Sequence, residues 1–277
     1  MSDYLPAETS YVVFADLHVR VENHSEAEIH SDITDLFGAM IRSEPIGTET
    51  LRLALYRRNH RILLIDPTAA ACEFDTVGEA TNAVFHRTIQ AFMRAKPKLL
   101  WLHAGAVARE GRALLFLGPS RSGKSTLVTE LTRTGWHYLS DEVAPIDPHA
   151  RTVMPFPLTP LVRKPGRAAI EQSRFGELKK DVFALDSVVI ADKAVTIGAF
   201  ILPSYRADAK AQITLCSPAT AVIEMLNNSL NLKPYTKDQV GQFCELIAQT
   251  PCYRLIYADV TEAIELLQAP SLSSEYI

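Results

Sequence analysis

Residues 116 to 126 read FLGPSRSGKST, an apolar run that breaks into two glycines, a lysine and a hydroxyl side chain. Gly118, Gly123, Lys124 and Ser125 satisfy the spacing G-x-x-x-x-G-K-[ST] of a phosphate-binding loop. Such a loop works only when a strand delivers it and a helix leaves it, so that backbone amides converge on phosphate oxygens. The flanks comply. Ala113 to Leu117 is an apolar strand, and Leu127 and Leu131 give one apolar face to a helix that runs to about Thr134 and stops at Gly135. In a chain of this length a chance match is expected roughly once in a hundred sequences. The cradle is read as Gly118, Pro119, Ser120, Arg121, Ser122, Gly123, Lys124, Ser125 and Thr126. Within it Lys124 brings a charge for the outer phosphates of ATP, and the Ser125 hydroxyl is a ligand for Mg2+.

A phosphoryl transfer also needs a proton acceptor. Asp141 and Glu142 end the short strand WHYLSDE, soon after the loop. The helix between would return the chain so that this strand lies beside the loop strand, with both carboxylates at the phosphate end. An apolar strand ending in Asp-Glu is also the mark of motor and transporter ATPases. Here the strand is partly polar, at His137 and Ser140, and follows the loop helix directly, so that assignment is the weaker.

These residues resemble the HPr kinase/phosphorylase family of serine kinases, including smaller relatives that phosphorylate hydroxyls on peptides such as lasso-peptide precursors. The likeness is carried by LHAGAV before the loop, GPSRSGKSTL, the stretch TRTGWHYLSDE and a later PFP followed by basic residues. It spans about residues 98 to 270 and is most specific from 102 to 142. The resemblance implies an α/β P-loop kinase domain with a partly mixed sheet, related to ATP-dependent phosphoenolpyruvate carboxykinase. It implies that Asp141 is the proton-accepting aspartate and that Glu142 stands where a second, metal-assisting aspartate is common. It also implies that His103 is the upstream histidine that sits against the catalytic aspartate. The resemblance further implies ATP and Mg2+ as cofactors. The acceptor is then a serine hydroxyl of a peptide or protein, with a small-molecule sugar or amino-acid alcohol as the alternative acceptor and a nucleotide-binding regulatory protein without turnover as the alternative function. The motif that supports the family's phosphorylase activity is not recognisable. HPr kinases assemble as hexamers, so a homo-oligomer stays open.

Arg163, Lys164 and Arg167 follow PFPLTP, whose prolines hold an extended connector. Arg163 and Lys164 are candidates for gripping phosphate or an acidic acceptor, as is Arg206 beyond the strand GAFILP and Pro203.

The rest of the chain divides at about residue 97. Residues 1–97 read as a small α+β domain without a chemical motif: a strand over 11–21, a hairpin of LRLALY and RILLID across RRNH, and a helix over 76–95 with Asp75 as N-cap and Pro97 as its stop. Residues 98–277 form the P-loop catalytic domain, opening with the strand LLWLHAGAVA and continuing through REG into RALLFL. Later come VAPI and RTVM joined by DPHA, a helix from Ser217 and Pro218, one from Thr236 with a capping box, the strand CYRLIY and a last helix over 261–268. The four cysteines show no metal spacing and read as buried free thiols; the histidines of the first third are too dispersed for a metal site. A net charge of −4 with mixed signs lacks the footprint of a nucleic-acid binder. The start MSDYLPAETS has no basic or apolar stretch, and no run approaches a membrane span, which leads us to expect a soluble, cytoplasmic protein that engages neither membrane nor nucleic acid.

Overall fold

The fold is described from a computed structural model, whose described residues are 8–160, 185, 188–231 and 236–269. The chain divides into two compact units, residues 8–97 and the described residues from 98 onward. Among the described residues no helix is long and apolar enough to cross a membrane.

The first unit is a six-stranded sheet with two helices. The stretch expected as one strand is a hairpin, β1 (Glu8–Phe14) and β2 (Leu17–His24), in which Phe14 pairs with Leu17 across the turn. Its turn residue Ala15 has φ 54°, a conformation usually left to glycine or asparagine, which is why the sequence shows no turn there. Helix α1 (Ala27–Phe37) follows, then β3 (Ile41–Arg42), β4 (Thr48–Arg58), β5 (Arg61–Ile65) and β6 (Cys72–Phe74). Asn59, at φ 57°, turns the expected β4–β5 hairpin. The strand order is β3-β1-β2-β4-β5-β6, with β2 and β4 parallel. Helix α2 (Val77–Ala95) is capped by Thr76 rather than Asp75: the Thr76 side chain accepts from the Glu79 amide while the Glu79 side chain returns to the Thr76 amide. Helices α1 and α2 pack on each other and on the sheet, burying Ile29, Ile33 and Phe37 with Val84 and Phe92.

The second unit is built on a mixed sheet. Its strands are β7 (Leu100–Leu102), β8 (Gly105–Arg109), β9 (Arg112–Phe116), β10 (His137–Ser140), β11 (Ala144–Asp147), β12 (Thr152–Val153), β13 (Val195–Tyr205), β14 (Gln212–Leu215) and β15 (Cys252–Tyr257). The order is β10-β8-β9-β13-β12-β11-β7, and β15 pairs with β13 and β14. The run LLWLHAGAVA is thus two strands: it breaks at His103, β7 pairs with β11 at one edge of the sheet, and β8 pairs with β9 and β10 at the other. The helices are α3 (Lys124–Arg133), α4 (Pro218–Asn227), α5 (Lys237–Gln249) and α6 (Val260–Gln268). Ser217 and Thr236 cap α4 and α5 as their sequences require.

Strand β9 shows why its sequence is continuously apolar. Ala113 and Leu115 face a core shared with Ala221, Met225, Phe243, Leu246 and Ile247 of α4 and α5. Leu114 and Phe116 point the other way, into a core with Leu127, Val128 and Leu131 of α3 and Ala263, Ile264 and Leu267 of α6. A strand covered on both faces cannot alternate with polar residues. Of the cysteines, all free, only Cys252 is buried; Cys72 and Cys216 are half-buried and Cys244 is exposed, which corrects the expectation of four buried thiols.

Candidate active site

Strands β9, β13 and β15 run parallel, and β10 runs parallel to β9 because each is antiparallel to β8 between them. The carboxyl ends of all four strands therefore lie at one end of the sheet. The loop Gly118–Gly123 leaves β9 there, Asp141 and Glu142 leave β10, Arg206 leaves β13, and Asp259 leaves β15. The expectation that β10 lies directly beside the loop strand is corrected: β8 intervenes, yet the carboxylates still reach the end of the sheet at which the loop leaves β9. Strand β13 extends two residues past Pro203 to Tyr205. The peptide of Ile201 is the last of β13 to meet β9's side, accepting from the Leu117 amide at 2.9 Å; Pro203, which has no N–H to donate, comes where β9 has ended.

The loop enters α3 through Gly123, whose φ is 101°. A Cβ there would collide with the Tyr257 hydroxyl, so glycine is needed twice, for conformation and for the close approach of the ring. Arg121 also has a positive φ, 71°. Lys124 is buried, and its ammonium donates to the carbonyls of Gly118 at 2.7 Å and Pro119 at 3.2 Å. Burial lowers its pKa, while the charges of Glu142 and Asp141 act to raise it. Ser122 is buried and its hydroxyl has no hydrogen-bond partner among the described residues. Pro119, Ser120, Arg121 and Thr126 are exposed and Ser125 is half-buried.

Asp141 is buried at 4 % exposure beneath this loop. Its Oδ1 has no hydrogen-bond partner among the described residues. Burial pushes its carboxyl up to about 7; the Ser125 hydroxyl bonded to it and the Lys124 charge act to lower it, and the Glu142 charge adds to the rise. Two features that the sequence reading passed over hold it there. Ser140 closes the turn, its hydroxyl donating to the Val143 carbonyl and accepting from the Val143 amide at 3.3 Å, so that Asp141 and Glu142 sit inside a fixed bend. Gly105 opens space from below: a Cβ there would strike Val128 of α3 at 2.6 Å and reach 3.6 Å from Asp141 Oδ1. The glycine of LHAGAV carried that signal in the sequence.

His103 stands at the bend between β7 and β8, its amide donating to the Asn228 carbonyl at 2.7 Å. Its ring meets Glu142, not Asp141 as the family resemblance implies: Nδ1 lies 3.1 Å from the Glu142 carbonyl oxygen and 3.3 Å from its carboxylate. The cause is local, since Asp141 turns inward under the loop while Glu142 is exposed on the same bend. Arg206 is exposed at the same end of the sheet as the loop, and Arg163, Lys164 and Arg167 lie outside the described residues. The PFPLTP stretch has no regular secondary structure and runs along β10, with the Phe156 amide bonded to Leu139 and the Tyr138 hydroxyl to Leu158.

Among the described residues no three His, Cys, Asp or Glu side chains gather as a metal cage. A magnesium ion on a nucleotide does not need one, because substrate phosphates and water supply most of its ligands. The Ser125 hydroxyl and the exposed Glu142 carboxylate are hard oxygen donors of the kind that ion takes.

No family model matches the chain, and no curated protein matches it. Among solved structures, the HPr(Ser) kinase/phosphatase from Coxiella burnetii aligns with 63 % of this chain and 98 % of its own, at 13 % identity and a TM-score of 0.30. The site's own geometry therefore carries the functional case.

Proposed function

We propose that the protein is an ATP-dependent kinase that moves the γ-phosphoryl group to a hydroxyl, and that the acceptor is a serine of a peptide or protein. One observation carries this reading: a buried carboxyl, with one oxygen unpartnered among the described residues, lies against the first turn of the helix that follows the glycine loop, where burial pushes it up to about 7. A proton acceptor is most effective when its pKa lies close to the working pH. A solvated turn would leave Asp141 an ordinary surface acid.

The amides of Ser120 to Ser125 and the Lys124 ammonium receive the triphosphate, and Lys124 exchanges its bonds to the loop's carbonyls for bonds to phosphate oxygens. Asp141 accepts the proton of the incoming alcohol. The alcohol oxygen bonds to the γ-phosphorus as the bond to the β,γ-bridging oxygen breaks, and ADP leaves with that electron pair. Ser125 and Glu142 would hold magnesium, which when bound offsets charge on the phosphate oxygens. His103 steadies the Glu142 side of the bend. Serine as acceptor rests on the resemblance of LHAGAV, GPSRSGKSTL and LSDE to the peptide and protein serine kinases.

Asp141→Asn tests the assignment. With ATP, magnesium and a panel of serine peptides, it should bind nucleotide as the parent does and lose transfer by about 10²- to 10⁴-fold, followed as a mass gain of one phosphoryl group. Normal transfer by this variant would remove Asp141 from the chemistry.

A further inference from the structure

Asp141 lies to one side of the phosphate loop, across β8, and the reading above puts the γ-phosphate there. Because β10 lies on one side of the loop strand and β13 and β15 on the other, a nucleotide with its γ-phosphate toward the β10 side has its nucleoside toward the ends of β13 and β15. Those strands lie one and two spacings from β9, the farther about 10 Å away.

What waits at that end is an aromatic pair. Tyr205 closes β13 and is 56 % exposed, a large side chain left in water at the end of the sheet where the loop lies. Tyr257 closes β15 and is buried at 2 %. The two rings meet edge to face, with centroids 6.0 Å apart and planes at 78°. Tyr257 in turn presses its hydroxyl against Gly123, so an unbroken chain of contacts runs from the phosphate loop through one ring to the other. The Arg206 amide donates to the Tyr257 carbonyl at 2.9 Å, fixing the backbone just past Tyr205.

Other large apolar side chains of the chain are as exposed as Tyr205; what sets Tyr205 apart is its place at the end of β13 beside the loop and its contact with Tyr257. Its ring meets Tyr257 at a steep angle and the residue is more than half exposed, which leaves surface for a stacked base. We infer that Tyr205 is the nucleobase platform of this site, taking a purine on its exposed face, with Tyr257 as the positioning residue that ties the platform to the loop. The inference rests on the kinase reading for the direction in which the nucleotide lies. Recognition by stacking needs no hydrogen bonds to the base edge, so the ligand class is a purine nucleoside triphosphate chosen by its ring system and its phosphates.

Calorimetric titration of the full chain with ATP and with inorganic tripolyphosphate, each with magnesium, separates the platform from the cradle. Tyr205→Ala should weaken ATP about tenfold, the worth of one stacked base, and change tripolyphosphate affinity by less than about twofold. Tyr205→Phe, which keeps the ring, should bind ATP as the parent does. ATP affinity unchanged in Tyr205→Ala would overturn the platform and leave the cradle standing. So would equal losses for both ligands, a loss in Tyr205→Phe as large as in Tyr205→Ala, or a parent protein that binds tripolyphosphate as tightly as ATP. A parent that binds neither ligand would overturn cradle and platform together.

Discussion

Asp66 and Asp141 are both shielded from water, at 3 % and 4 % exposure, but Asp66 lies shallow and Asp141 deep in the packed interior, and the two units treat them in opposite ways. In the first unit, Asp66 Oδ1 accepts from the Thr68 amide at 2.8 Å and the Thr68 hydroxyl at 2.7 Å, and Oδ2 meets Arg87 at 2.9 Å. Burial works to raise its pKa, but the Thr68 bonds and then the charges of Arg87 and Arg94 outweigh it, and the carboxyl ends below its ordinary range. In the second unit, burial wins at Asp141: one hydroxyl and one nearby ammonium do not offset it, and Oδ1 is left without a partner among the described residues. Depth and partners together therefore decide what a carboxylate is for. A full set of partners makes a structural anion, and an incomplete set leaves a group ready to take a proton from something else.

The largest test of that contrast is the pH dependence of stability without nucleotide or magnesium. The folded pKa of Asp141, about 7, lies above its ordinary value of 3.8, so between those limits the native state holds a proton that the unfolded chain has released. Its contribution is full below the lower value and is lost as pH rises to the upper, by about 4 kcal/mol in all. Asp141→Asn removes that loss. Urea unfolding should show the variant gaining on the parent from about pH 4 to about pH 7 and holding a constant lead of about 2 to 4 kcal/mol above it. A difference that does not change with pH would mean the carboxyl ionises as a surface acid does.

Arg87→Ala should move stability the other way. Asp66 keeps its Thr68 bonds but loses the cation, at a cost of about 2 to 3 kcal/mol near neutral pH. Because the Asp66 pKa is depressed, the stabilisation exists above the ordinary carboxylate range and is lost as pH falls through the folded value. The cost of Arg87→Ala should accordingly shrink on acidification, whereas the gain from Asp141→Asn shrinks there because the parent's penalty is gone.

The sequence shows one member of this pair far better than the other. Asp141 was legible because it stands in a short strand soon after a loop whose spacing is chemically specific, and neighbouring elements carry their signals locally: Ser217 with Pro218, Thr236 with Gln239, and Gly135 after α3. Asp66 looked like the end of RILLID, since nothing local points to Arg87 on α2. Other misses share that cause. Ala15 turns a hairpin without a turn residue's signature. The break at His103 is invisible in an unbroken apolar run, because it exists only to send β7 to the far edge of the sheet. Long-range pairing also inserts β8 between β9 and β10, and it sets His103 against Glu142. For Thr76, by contrast, Glu79 three residues on was present in the sequence and decides the cap over Asp75.

The smallest effect isolates one hydrogen bond. Thr68→Val keeps the side chain's shape and the backbone amide that donates to Asp66 Oδ1, and removes only the hydroxyl at 2.7 Å. One of three donors is lost from a carboxylate that still faces Arg87, so the cost should be about 1 kcal/mol, below that of Arg87→Ala. Both changes act on the same buried anion, and their effects should not add: with the cation gone, the folded carboxyl has more to lose from the missing hydroxyl, and the double variant should cost more than the sum of the singles by about 0.5 kcal/mol or more. A strictly additive cycle in urea unfolding would show that Asp66 does not depend on a complete partner set, and the contrast with Asp141 would then rest on depth alone.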